Sequence, residues 1–182
     1  MLVEAWARVR PDGWSLRIAG PDEAGHRRQL ERLVSVAGVG ESVIFTGPID
    51  PDRKGAAFWD ADLFVLPSHS ESFGVAVAEA LAHGVPVLTT TGTPWSILKD
   101  KDCGWWVEAN VDGIAEGIRQ ATSLNTDALR AMGMKGRAFV KAELSWKRIA
   151  DLMLSTYEKV LTQNNCRCAN QSLQPVKVCK EK

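Results

Sequence analysis

The sequence predicts an α/β fold in which a parallel sheet is covered by helices. Three observations carry that prediction. Short apolar runs recur at 43–46, 62–67 and 85–90, segments with helical character stand between and after them, and Gly, Pro or small polar residues mark the joins. Strand, helix and strand in that order make a parallel βαβ unit with a right-handed crossover. In open parallel sheets ligands bind beyond the carboxyl ends of the strands, which tells where to look for chemistry.

The elements follow in a repeating order. A helix over 2–9 leads to a strand over 15–19 that ends at Gly20, and then to a helix over 23–37 whose Arg and Glu residues mark a solvated face. A strand over 43–46 is followed by a short helix over 55–61, a strand over 62–67, a helix over 73–82 and a strand over 85–90. The segment 94–99 turns helical, and 104–107 forms the last short strand, with one of Trp105 and Trp106 buried and the other outward. In the helix over 111–123, Val111, Ile114, Ala115 and Ile118 share one face. Thr126 is read as the cap of a helix reaching 141, and Ser145 as the cap of a final helix. There Trp146, Ile149, Ala150, Met153, Tyr157 and Val160 make an apolar stripe, expected to pack mostly within the chain. From Thr162 the sequence is polar and aperiodic, so the expected organisation is one domain over 1–161 and a disordered polar tail over 162–182.

Composition excludes several classes. The chain has 182 residues, 45% of them hydrophobic, and a formal net charge of zero, which suits one domain with a real core and gives nucleic acid no basic surface. No signal peptide and no apolar stretch long enough to cross a membrane is visible, so a cytoplasmic domain is expected. The four cysteines lack zinc-ligand spacing and read as free thiols.

The most informative segment is ESFGVAVAEALAHG, in which Glu71 and Glu79 stand eight positions apart. Between Phe73 and Ala82 the only charged side chain is Glu79, so the helix should be buried on every face and Glu79 with it. A buried carboxylate without a partner costs several kcal/mol, and no Lys or Arg lies within one turn. The simplest reading is that Glu79 faces a ligand rich in donors, such as sugar or ribose hydroxyls. The bland alternative is a buried ion pair with a distant Arg, with Glu71 merely a solvated loop acid. Gly74 would let a ligand approach the backbone, and the helix start suits an anion.

The strand ending in Pro67-Ser68, Glu71, the Phe73-Gly74 pair, a small-residue helix with Glu79, then Gly84-Val85-Pro86-Val87 resembles the donor-binding motif of retaining GT-B glycosyltransferases, the glycosyltransferase group 1 family. The resemblance extends over LVEAW at the start, LRIAG, VIFTG, TGTPW, CGWWV and the final helix. It implies a Rossmann-like parallel sheet, the C-terminal half of a GT-B fold, with its first strand missing upstream of Met1. The Arg and Lys that neutralise the donor pyrophosphate in the family would be missing with it, as would the acceptor half.

By position, the resemblance gives Glu71 the hydroxyls of the transferred sugar and Glu79 the ribose. Backbone amides around Ser72, Phe73, Gly74 and Val75 would meet the sugar and the pyrophosphate, Thr91 and Gly92 would line the sugar site, and Ile49 would offer backbone contacts to the base. His69 is a further donor-sugar candidate, against the plain reading of a solvated loop histidine. Arg53 and Lys54 are read as solvated charges, and Trp95 as core packing.

The implied activity is metal-independent, retaining transfer from a nucleotide sugar in polysaccharide biosynthesis, with no cofactor and no activity in isolation. Donors with UDP, GDP or ADP stay open. Alternatives are a non-catalytic nucleotide-sugar binding module, half of a split enzyme completed by a second chain, and a GT-B epimerase. Without the first strand, the strands over 15–19 and 62–66 must pair directly or leave a gap, for which a homodimer or other partner is expected. The missing half would allow peripheral association with the inner face of a membrane.

Overall fold

The computed structural model describes residues 1–169 and divides into two units, Met1–Lys141 and Ala142–Lys182. The first unit holds helices α1 (Leu2–Val9), α2 (His26–Ala37), α3 (Pro51–Trp59), α4 (Val75–Ala82), α5 (Ile97–Asp100) and α6 (Val111–Thr122). It also holds strands β1 (Leu16–Ala19), β2 (Val43–Gly47), β3 (Phe64–Leu66), β4 (Val87–Thr90) and β5 (Gly104–Val107). Helix α7 (Thr126–Glu143) follows, and helix α8 (Trp146–Ala169) forms the described part of the second unit.

All strand pairings are parallel, as expected, but they form two sheets. β1 pairs with β2, and β3, β4 and β5 pair in that order. Among the described residues no strand joins β1 to β3, so the gap, rather than direct pairing, is what the chain adopts. β4 is buried along its whole length because it has neighbours on both sides, and its polar residues, Thr89 and Thr90, are buried with their hydroxyls hydrogen-bonded to backbone carbonyls.

One core nevertheless runs beneath both sheets. Val3 and Trp6 of α1, Leu16 of β1, Val43 of β2, Leu88 of β4, and Ile114 and Ile118 of α6 belong to a single buried cluster. Fully burying one such side chain contributes about 1.5–3 kcal/mol, so these contacts carry much of the cohesion between the sheets. An Arg17–Asp60 ion pair also links β1 to the turn ahead of β3. Both side chains are more than half exposed, so this pair adds little.

Several boundaries differ from the sequence reading for local reasons. α3 begins at Pro51, not 55, with Asp50 at the N-cap position. Pro at the first helical position loses no hydrogen bond and has its φ already set, so the helix starts where the proline stands. The cap of α7 is Asn125 rather than Thr126: its Oδ1 accepts from the Ala128 N–H at 2.8 Å. Ser145 does cap α8, accepting from the Arg148 N–H at 3.3 Å.

Asn110 caps α6 through its Oδ1, which accepts from the Gly113 N–H at 2.7 Å. Because α6 carries Ile114 and Ile118 into the core, Asn110→Ala should cost about 1 kcal/mol and lower the urea midpoint without changing the slope. An unchanged midpoint would mean that packing alone holds this helix start.

In α8, Trp146, Leu152, Met153, Leu154, Tyr157, Val160 and Leu161 are exposed, Trp146 by 89%. Within this unit the 3.6-residue period of the stripe is present, with Ile149 half-buried and the other large side chains exposed among the described residues. The helix is drawn through Ala169, past the expected boundary at 161, and the rest of the expected tail, 170–182, lies outside the described residues. No helix among the described residues is long and apolar enough to cross a membrane.

Candidate donor site

The carboxyl ends of β3 and β4 are stitched together, and that stitching positions the candidate residues. The Thr89 hydroxyl donates to the Leu66 carbonyl at 2.8 Å, and the Thr90 hydroxyl donates to the Ser68 carbonyl. Further along, the Glu71 N–H donates to the Gly92 carbonyl at 2.9 Å, and the Thr91 N–H to the Val107 carbonyl at 2.8 Å. Gly92 lies so close to the chain at 68–69 that a Cβ there would come within 2.7 Å of the Ser68 carbonyl oxygen and closer still to that of His69. Three predicted residues, Glu71, Thr91 and Gly92, are thereby held at one edge. His69 joins them through its backbone, with its side chain exposed.

Gly74 makes the turn from this loop into α4. Its φ of 77° lies in the left-handed region, which suits glycine, and no side chain caps the helix start. Trp95, only 3% exposed, donates from Nε1 to the Phe73 carbonyl and fixes the loop from beneath. The Phe73 ring, partly exposed, lies 5.2 Å from the Trp95 ring between centroids. Core packing was the expected role of Trp95. The bond to the loop is additional, because the indole N–H needs an acceptor when buried.

α4 is not buried on every face as predicted. Val77, Ala80 and Leu81 are buried, whereas Val75 is 62% exposed. Val75 at the helix start thus faces outward, while Val77, Ala80 and Leu81 enter the core. Ser72 is exposed beside it.

Glu79 departs most from expectation. Lys54 Nζ lies 2.6 Å from its Oε2, so the carboxylate has a cationic partner in the chain. That corrects two readings: Lys54 is not simply a solvated charge, and Glu79 is not without a protein partner. The bland alternative of an ion pair had the right chemistry, with a lysine in place of a distant arginine. Among the described residues Lys54 is the partner that Oε2 has, and no other group hydrogen-bonds this buried oxygen. The side chains of Lys54 and Glu79 are 47% and 34% exposed, so the pair is water-accessible and its strength modest.

The helices bearing this pair are locked together next to it. Phe58 of α3 stacks on His83, which ends α4, with centroids 5.2 Å apart, and His83 Nδ1 lies 2.7 Å from the Glu79 carbonyl oxygen. Sequence reasoning missed Lys54 and His83. A lysine followed by two small residues carries no signal for pairing across another helix. Ile49 is half-buried in the loop between β2 and α3, just ahead of the helix that carries Lys54.

Two other features fall away from this edge. A cleft of about 330 Å³ opens at the amino ends of β1 and β2, lined by Arg10, Trp14 and Glu41 among others, and contains none of the predicted residues. Its Arg10 is already engaged with the Ala7 and Ala37 carbonyls. Cys103 is buried, and burial, aided by nearby Asp102, pushes its thiol up to about 11, far from a reactive thiolate.

The family model for glycosyl transferases group 1 matches residues 1–139. The chain belongs to this family. D-inositol 3-phosphate glycosyltransferase of Nocardia farcinica is 33% identical over 169 residues, covering 88% of this chain but 37% of the relative. A GDP-mannose-dependent α-(1-6)-phosphatidylinositol monomannoside mannosyltransferase of Mycobacterium tuberculosis is 31% identical, covering 79% and 39%. The chain therefore spans well under half the length of these group 1 relatives. Among solved structures, the C-terminal domain of a group 1 protein from Francisella tularensis superposes with a TM-score of 0.69 at 25% identity, covering 79% of this chain and 77% of that one. Anabaena HepE, solved in complex with UDP, has a TM-score of 0.74 at 18% identity over 87% of this chain and 44% of its own, a likeness of fold. The parallel α/β architecture is thus that of GT-B glycosyltransferases.

Proposed function

We propose that this domain grips the donor of a retaining, metal-independent glycosyl transfer, a nucleotide-diphosphate sugar, and forms the C-terminal half of a GT-B enzyme. The observation that carries the reading is the joined edge of β3 and β4, which holds Glu71 beside Gly92 and leads into the start of α4, with Glu79 one turn deeper. Glu71 would accept hydrogen bonds from sugar hydroxyls, with His69, Thr91 and Gly92 around the ring. Glu79 would accept from the ribose, and Ile49 would lie toward the base. The amides of Ser72, Phe73, Gly74 and Val75 would address the sugar and pyrophosphate.

A helix start contributes about 0.3–1 kcal/mol toward an exposed anion, and up to about 2 when partly buried. Glycosyl transfer needs a far larger reduction of its barrier. The domain alone is therefore proposed to bind donor without transferring sugar. Relatives named for GDP-mannose, and a neighbour solved with UDP, support nucleotide sugars as the ligand class. Calorimetric titration with UDP-, GDP- and ADP-sugars should give saturable binding to at least one, with stoichiometry near one. Heat changes indistinguishable from dilution for all three would overturn the assignment.

A further inference from the structure

We propose that Lys54 is a latch on the nucleotide site: it occupies the Glu79 carboxylate when no ligand is bound, and ribose hydroxyls must displace it. The proposal rests on the reading that Glu79 accepts hydrogen bonds from ribose. Three features of the pair point to a removable partner. Nζ reaches to 2.6 Å from Oε2, so the charges meet. No other group among the described residues hydrogen-bonds this buried oxygen, so a well-aligned hydroxyl that displaces the ammonium would gain a charge-assisted bond with nothing else to compete for it. The lysine is nearly half exposed, which gives its ammonium water to move into once displaced.

The surrounding packing fixes the backbone but not the ammonium. α3 is held to α4 by the Phe58–His83 stack. Lys54 therefore stands opposite Glu79 on a rigid base, while its four-carbon stem can swing. Release of the latch requires no movement of either helix. Ligand affinity is then the intrinsic affinity of Glu79 reduced by the strength of the pair, a competition that opens the site only as far as the ligand outbids the ammonium.

Exposed or half-exposed pairs are weak, so removing the latch should tighten binding by about two- to five-fold. The test is calorimetry with UDP, GDP and ADP, and with uridine, guanosine and adenosine, on wild type, Lys54→Met, Lys54→Arg, Glu79→Gln and the Lys54→Met/Glu79→Gln double variant. Lys54→Met should bind nucleosides more tightly, Lys54→Arg should keep wild-type affinity, and the gain should vanish in the Glu79→Gln background. Neutral nucleosides are included because a lysine gripping phosphate would affect only the diphosphates. Weaker diphosphate binding by Lys54→Met with nucleoside affinity unchanged would overturn the latch, as would unchanged affinity throughout. If Glu79→Gln lowers affinity while Lys54→Met does nothing, the latch fails and the ribose reading stands. If Glu79→Gln leaves nucleoside binding intact, the ribose reading fails and takes the latch with it.

Discussion

Glu79→Ala is expected to weaken nucleotide-sugar binding about ten- to a hundred-fold, with little change in stability. Hydrogen bonds to a charged group contribute about 1.5–3 kcal/mol, and each 1.4 kcal/mol is a factor of ten in affinity. Apart from Lys54, no group among the described residues engages Glu79 Oε2, so a ligand hydroxyl that reaches it meets one competitor. Against this, the ligand must displace Lys54, which the water-accessible pair makes a small deduction. The charged bond is therefore the larger of the two effects. Stability should barely move, because the alanine removes a half-exposed side chain from a helix whose buried positions are Val77, Ala80 and Leu81. Calorimetry paired with a thermal melt separates the outcomes: unchanged affinity at an unchanged melting temperature would remove Glu79 from the site.

Gly133→Ala is expected to destabilise the fold by about 2 kcal/mol, although alanine is the better helix former. In an exposed helix the substitution would gain about 1 kcal/mol. Here α7 crosses the end of α4, where Gly84 adopts a φ of 79°. Its N–H donates to the Leu81 carbonyl at 2.9 Å, and that of Val85 donates to the Ala80 carbonyl at 3.0 Å. This paired closure is a Schellman motif. A Cβ on Gly133 would lie 2.6 Å from the Gly84 carbonyl carbon and would overlap its oxygen. Neither atom belongs to a side chain that can rotate aside, so the helix must shift and the core beneath it loosen. Overpacking of this kind costs about 1–3 kcal/mol and occasionally more, which exceeds the gain in propensity. Gly55→Ala is the contrasting case: its new methyl would meet His83 Nε2 at 3.4 Å, so it should be neutral or stabilising. Urea midpoints for the two variants should move in opposite directions or at least differ clearly. A Gly133→Ala protein as stable as wild type would show that α7 does not seat on that turn.

How much of this was legible in the sequence depended on whether a feature was local. The strands of the second sheet and the loop bearing Glu71 could be read because the apolar runs around 62–67 and 85–90 are bounded by Pro and small polar residues. Trp95 was assigned to the core, and its bond to Phe73 follows from burying an indole N–H. Lys54 could not be paired with Glu79 in advance, because no periodicity connects residues on successive helices of a βαβ array. The start of α3 at Asp50-Pro51 is a recognisable helix signal that lies four residues ahead of the helix over 55–61 expected from the sequence. Asn125 and Thr126 are adjacent capping types, and only geometry distinguishes the one whose side chain reaches back to a free amide. The α8 stripe shows the reverse difficulty: its period marks an apolar face correctly and says nothing about what covers it.

The two sheets share a core yet exchange no backbone hydrogen bonds, and this gives the first unit a seam. β4 is flanked on both sides and buried throughout, whereas β1 and β3 each present one unladdered flank. Across the seam, among the described residues, the unit relies on side-chain interdigitation and exposed ion pairs such as Arg17–Asp60, with no ladder that must break in register. The two halves can therefore part by small amounts at the cost of packing alone, and amide protons of β1 and β3 should exchange with deuterium well before those of β4. Mechanically, the unit is a pair of plates glued across a joint rather than a single slab, and the joint is where strain imposed on either plate would be relieved.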